Sequence, residues 1–273
     1  MRTYHQLTDP DRSGLADQIE AQRRRVAGQL AGVKRIVAVM SGKGGVGKSF
    51  VTAHLARSLA RRGGGAGKEG GEGGEGRAVG VLDADLNGPT IPALLQARAA
   101  AAPPAIGLDG VKCVSMGHFL AEGTPLEFHG PSAESFVWRG AMEASALREL
   151  LGDVAWGDLD ILLLDLPPGI QRYLELCDIL GAPPAVLTVT IPTPESRDAV
   201  RRAMRAALER GSELLGIIEN MVGGELRGSA GDELAAEFGV PLVARIPWHP
   251  AREVWDTLAL PLTPAPRNPH PAP

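Results

Sequence analysis

Gly42 to Ser49 read GKGGVGKS, which matches the phosphate-cradle pattern G-x-x-x-x-G-K-[ST] at every fixed position. In a loop of this kind, backbone N–H groups and a helix N-terminus converge on phosphate oxygens. Gly42, Gly44, Gly45 and Gly47 let the backbone wrap closely without Cβ clashes, and Val46 and Phe50 belong to the same nucleotide-contacting stretch. Lys48 is expected to reach the β- and γ-phosphates of ATP, and Ser49 to hold Mg²⁺ through its hydroxyl. Lys43, directly after the first glycine, adds a second cation that the pattern does not require. By itself it reads as a solvated loop residue.

Two carboxylate clusters supply the anionic partners that a magnesium ion and a water need. Val79-Gly80-Val81-Leu82 runs as a strand into Asp83-Ala84-Asp85, and strand alternation puts Asp83 and Asp85 on one side. Ile161-Leu162-Leu163-Leu164 is a second aliphatic strand that ends in Asp165, expected to hold Mg²⁺ through water. Asp85 is read as orienting or activating the attacking water. Asp83 is read as an outer magnesium partner, with a strand-end cap as the competing role. Leu166-Pro167-Pro168-Gly169 is a stiff turn whose Gly169 N–H is placed to touch the γ-phosphate.

The elements that must position these groups alternate along the chain. Ile36 to Met40 is an apolar run of buried parallel-strand type, and Val51, Leu55 and Leu59 behind the loop give a helix one buried face. Cys113 lies in a further strand, Val111 to Met116, and Cys177 in a helical stretch around Tyr173 to Asp178. More strands are expected at Val186 to Ile191, Leu214 to Glu219 and Leu242 to Ile246. Helices are expected at Asp17 to Leu30, Met142 to Leu151, Pro194 to Arg210 and Gly231 to Phe238. This alternation predicts an α/β domain with a mostly parallel, doubly wound sheet and helices on both faces, covering residues 34–260. Residues 1–33 form an N-terminal extension. Nine of the fourteen residues from Gly63 to Gly76 are glycine, so nothing there can be buried and a flexible loop is expected. The tail 261–273 is proline-rich.

Taken in order, GKGGVGKS, VGVLDADLNGPTIPALL (Val79 to Leu95), WRGAMEASALRELLGDVAWGDLDILLLDLPPG (Trp138 to Gly169), IIENM (Ile217 to Met221) and GVPLVARIPWHP (Gly239 to Pro250) resemble the Mrp/ApbC/Nbp family of P-loop ATPases, the iron–sulfur cluster carriers. The resemblance takes in about four-fifths of the chain. KGGVGKS is similar to the deviant Walker A motif of the wider MinD/ParA class. That likeness implies a homodimer in which Lys43 reaches across to the partner's nucleotide and stabilises charge on the transferring phosphoryl group. It also implies that Asn220 contacts the adenine and that Pro247, in Ile246-Pro247-Trp248, packs near the base.

The family's cargo is a [4Fe–4S] cluster, held between two subunits by a C-x-x-C pair shortly after the asparagine–methionine step. An iron–sulfur client or scaffold protein is the partner implied. Here that segment runs from Met221 to Ser229 without a cysteine, and the chain's two thiols, Cys113 and Cys177, stand elsewhere. The family's threonine-glycine-aspartate after the switch glycine is also replaced, by Ile170-Gln171-Arg172. Two other readings stay open: a MinD/ParA-like positional switch, and a nucleotide-bound regulator of low turnover.

Composition narrows the alternatives. The net charge of −4 argues against nucleic-acid binding, and Arg23-Arg24-Arg25 reads as a solvated helix face. The start MRTYHQ lacks an apolar signal core, no stretch approaches a membrane span, and two cysteines suit a reducing cytoplasm. The tail PLTPAPRNPHPAP cannot form a membrane-surface helix. The six histidines show no metal-ligand spacing, and no G-x-S-x-G is present.

Overall fold

Five apolar runs of the sequence become the central strands of one sheet: β1 (Ile36–Ser41), β2 (Val79–Asp83), β5 (Ile161–Asp165), β6 (Ala185–Thr190) and β7 (Leu214–Val222). The computed structural model describes residues 15–63, 77–100, 102–119, 136–258 and 260. The expected glycine-rich loop, apart from Gly63, and the proline-rich tail lie outside the described residues, as does the start of the N-terminal extension. With β3 (Ala105–Ile106), β4 (Lys112–Ser115) and β8 (Leu242–Pro247), the sheet has eight strands in the order β3-β4-β2-β5-β1-β6-β7-β8. Every pairing is parallel except β3 with β4. The two-residue β3 was not legible in the sequence, because a strand this short carries no period and exists only by pairing with β4.

Alternation along the strands divides the core into two layers. Val37, Val39, Val81, Ile161 and Leu163 face one side, with Val51, Leu55 and Leu59 of α2 (Lys48–Gly63). α3 (Ile91–Leu95) and Trp255 of α8 (Arg252–Thr257) complete that layer. Ala38, Met40, Leu162 and Leu164 face the other side. There they meet Val26 of α1 (Leu15–Gln29), Leu147 and Leu151 of α4 (Phe136–Gly152), Tyr173 and Leu176 of α5 (Gln171–Leu180), and Ala203 and Ala207 of α6 (Pro194–Glu209). α7 (Ala230–Phe238) sends Leu234 into a smaller cluster with Val200, Met204 and Ile217. Complete burial of these aliphatic side chains stabilises the fold by about 1.5–3 kcal/mol each.

Two expected boundaries shift by three residues or more. α4 starts at Phe136, six residues before the expected Met142. Strand β7 runs on through Met221 to Val222, which pairs with Pro247. The segment that lacks cysteines therefore begins as sheet and only then turns.

Candidate functional site

The carboxyl ends of three adjacent parallel strands build the site. β5 lies between β1 and β2, with Asp165 in register with Val39 on one side and Asp83 on the other. Loops at this end of an open α/β sheet are where ligands bind. β1 leads into the glycine loop, which turns through Gly45 at φ +78° and Gly47 at φ +77°, a left-handed backbone that glycine adopts without strain. Lys48 opens α2. Gly42 answers a different need. A Cβ there would collide with the backbone of Ala199 and Val200, so this glycine lets α6 pass against the start of the loop.

Asp165 is fully buried and organises the polar groups around it. Its Oδ2 accepts from the Ser49 hydroxyl at 2.6 Å and its Oδ1 from the Thr52 hydroxyl at 2.7 Å. The Lys48 ammonium, 6% exposed, stands 2.6 Å from the same Oδ1 and 3.4 Å from Ser49 Oγ. A hydroxyl that gives its proton to a carboxylate keeps its lone pairs for a cation. The Ser49–Asp165 bond therefore fits Mg²⁺ held directly by Ser49, with Asp165 behind it, and the ion would supply charge neutralisation between phosphate oxygens. Among the described residues no cluster of three or more His, Cys, Asp or Glu side chains forms a metal cage. Thr52 escaped the sequence reading, although its position three residues past Ser49, on the same helix face, was the available signal.

Asp83 is 1% exposed and tied into protein hydrogen bonds. Its Oδ2 accepts from the backbone of Thr90 at 3.0 Å and Ile91 at 3.1 Å, and from the Ser115 hydroxyl at 3.4 Å. Its Oδ1 accepts from the Asp85 N–H at 3.3 Å. These are the bonds of the competing role, a cap over the loop that leads into α3. Strand β2 stops at Asp83, so the alternation used to align Asp85 with it does not extend that far. Asp85 stands instead in the following loop, half-buried, its Oδ1 accepting from the Gly88 N–H at 3.2 Å.

Burial first, and the adjacent Asp165 carboxylate second, push the Asp83 carboxyl up to about 7 against the pull of the Ile91 N–H and the Lys48 ammonium. Between its ordinary 3.8 and about 7, the folded chain thus holds a proton that the unfolded chain has released. This contribution to stability is full below that window and is lost as pH rises through it. The ligand-free protein should melt lower at pH 8 than at pH 5 on this account, and Asp83→Asn should flatten that part of the profile. Mg–ATP bound beside the carboxyl would favour its ionised form and remove the slope. Melting curves at the two pH values, with and without Mg–ATP, measure both effects. An Asp83→Asn profile as steep as the wild type's would contradict the first.

The remaining expected residues are drawn around this centre. The Gly169 N–H donates to the Ser41 carbonyl at 3.1 Å, with Gly169 at φ +94°. To meet a γ-phosphate it must exchange that bond. Asn220, 4% exposed, donates through Nδ2 to the Val46 carbonyl at 2.8 Å and so braces the glycine loop from β7. Pro247 ends β8, and the Trp248 N–H after it donates to the Val222 carbonyl at 3.1 Å. Phe50 lies tilted against His54 with ring centroids 4.1 Å apart, and Trp255 meets both rings. Beside them His54, Arg57, Arg61, Pro250, Arg252 and Trp255 line a cavity of about 350 Å³. Lys43 is half-buried, and its ammonium joins the hydrogen bonds from the Glu195 N–H and the Thr193 hydroxyl in holding the Glu195 carboxyl below its usual range.

Within one chain the two thiols lie apart. Cys113 is fully buried in β4, and desolvation pushes it up to about 12. Cys177 is 7% exposed on α5 and is also raised by burial. Cys113 belongs to the layer with α2 and Cys177 to the layer with α4 and α5, so the sheet separates them. Iron–sulfur ligation needs thiolates that converge.

Comparison with known proteins agrees with this architecture. Residues 32–257 match the family model described as the ParA-type NUBPL iron-transfer P-loop NTPase. An iron–sulfur cluster carrier protein of Saccharolobus solfataricus is 33% identical over 256 residues, covering 86% of this chain and 78% of its own. The solved structure of a nucleotide-binding protein from Archaeoglobus fulgidus, in complex with ADP, is 30% identical with a TM-score of 0.63, over 86% of this chain and 90% of that one. The septum site-determining protein MinD of Pyrococcus horikoshii, complexed with Mg-ADP, has a TM-score of 0.53 at 21% identity over 81% of this chain and 85% of that one, a likeness of fold. With an eight-stranded sheet, a phosphate loop at its carboxyl edge and a family match over residues 32–257, the chain belongs to the NUBPL iron-transfer family of P-loop NTPases.

Proposed function

We propose that this chain is an Mg²⁺-dependent ATP-binding and ATP-hydrolysing switch that works as a homodimer. The observation that carries the reading is the cluster of buried Lys48, Thr52 and Asp165 with half-buried Ser49 at the foot of the glycine loop. The loop N–H groups and Lys48 hold the phosphates. Ser49, backed by Asp165, holds the ion. Asp85 orients the attacking water, and Asp83 supports the loop that carries Asp85. Asn220 and Pro247 face the base, and Phe50 continues the nucleotide-contacting stretch of the loop. Lys43 moves away from Glu195 to stabilise charge on the partner's phosphoryl group. Steady-state phosphate release by the full chain with Mg–ATP, paired with sedimentation velocity with and without ATP, tests both halves. No release above background, or a monomer at every nucleotide concentration, would refute the corresponding half.

The cargo of the family's carriers enters as a client's need rather than as a group this chain holds by two converging thiolates. Anaerobic incubation with iron and sulfide is therefore expected to leave no stable visible absorption on the purified protein. Bands that persist through gel filtration and vanish in Cys177→Ser would reverse this. One observation favours slow turnover: the Gly169 N–H is committed to the Ser41 carbonyl, so the γ-phosphate must compete for it. Among the described residues no helix is long and apolar enough to cross a membrane. A cytoplasmic site of action and an iron–sulfur client or scaffold as partner complete the proposal.

A further inference from the structure

The loop that carries Asp85 and the segment that follows Gly169 both bind one carboxylate of α4. Beyond β2 the chain arches through Asp85, Leu86, Asn87 and Gly88 towards α3. Asp83 holds the base of this arch. Near its tip the exposed Asn87 donates through Nδ2 to Glu143 Oε1 at 3.0 Å. The other oxygen, Glu143 Oε2, stands 2.5 Å from an Arg172 guanidinium nitrogen. Arg172 is the second residue of α5, three positions after Gly169. Its other terminal nitrogen meets Glu175 at 2.6 Å.

Burial makes this contact consequential. The Arg172 and Glu143 side chains are only 8% and 13% exposed, so salt screens their attraction weakly. Among the described residues Arg172 Nε is buried without a hydrogen-bond partner, and Glu143 and Glu175 are the groups that compensate this cation. A carboxylate can serve two donors at once because its oxygens accept independently. If the segment after Gly169 carries Arg172 away, Glu143 must follow or lose its charge partner, and Asn87, two residues from Asp85, moves or is released.

We propose that Glu143 is a positioning residue that couples the Asp85 loop to the segment following Gly169, so that neither shifts alone. Its part in turnover rests on the ATPase reading above; the mechanical link does not. The deciding measurement is backbone hydrogen–deuterium exchange over residues 85–90 of the full chain without nucleotide, in a two-residue cycle. Arg172→Met should speed exchange there by about fivefold or more in the wild-type background. It should add nothing once Asn87→Ala, an exposed and structurally mild change, has already cut the bridge. Exchange within about twofold of wild type in Arg172→Met, or fully additive effects of the two changes, would overturn the link. In turnover, Glu143→Gln keeps an acceptor for Asn87 but removes the charge that Arg172 needs. It should lower kcat about five- to tenfold with Kd for Mg–ATP within about twofold, and equal losses in both would overturn the positioning role. A wild type that does not hydrolyse ATP would refute the proposed function, and the exchange cycle would still decide the coupling.

Discussion

Lys48→Ala is expected to abolish useful Mg–ATP binding, raising Kd by on the order of 10²–10³-fold as measured by calorimetry. Two effects add. The ammonium is a side-chain cation at the phosphate cradle, and it stands nearly buried between Asp165 and the Ser49 hydroxyl. Its loss removes a charge-assisted contact to phosphate. It also leaves the buried Asp165 carboxylate, among the described residues, with the Ser49 and Thr52 hydroxyls. Breaking a buried pair by deleting one partner costs about 3–5 kcal/mol in stability, less where other hydrogen bonds remain. The variant should therefore melt lower even without ligand. The wild type should gain stability with Mg–ATP by mass action, while Lys48→Ala should show no such gain. A variant Kd within about threefold of wild type would remove the basis for reading the loop as a triphosphate site.

The second large effect is kinetic. Asp85→Ala should reduce kcat for phosphate release by on the order of 10²–10³-fold while leaving Kd for Mg–ATP within about threefold, the signature of a group used in the transition state. The location of Asp85 supports this split. It is half-buried in a loop at the carboxyl edge of the sheet, and its carboxylate accepts from the Gly88 N–H of the same loop. It is not part of the buried Lys48–Asp165 cluster that governs binding. Single-turnover and steady-state rates on the same preparation distinguish loss of chemistry from slow product release. Equal, low rates in wild type and Asp85→Ala would favour the low-turnover regulator, in which the Gly169–Ser41 bond holds the switch back.

What the residues alone determined was local. The glycine loop is a contiguous pattern whose backbone conformation depends on glycine at fixed positions, so Gly42 to Ser49 could be read directly. The aliphatic runs before Asp83 and Asp165 made their strands plain, because a buried parallel strand shows itself as uninterrupted apolar sequence. The missing C-x-x-C was equally visible. The fold class followed from the alternation of such runs with helical stretches.

What only the tertiary structure decided depends on residues distant in the chain. Gly42 looked like a phosphate residue, yet its lack of a Cβ is needed by α6, some 157 residues further on. Asp83 could be read as an outer partner of the ion or as a strand-end cap, and the folded chain shows its bonds to the backbone at the start of α3 and to Ser115. Asn220 bears on the Val46 carbonyl, 174 residues away, a contact that no local pattern encodes. Glu143 lies in the stretch from Trp138 to Gly169 that carried the resemblance, but nothing there marked it out. Its meaning comes from Asn87 and Arg172 meeting on one side of the sheet. Sequence patterns record the demands of backbone geometry and of periodic burial, which act over a few residues. The pairing of buried polar groups is fixed by which elements pack together, and that is settled only when the sheet is assembled.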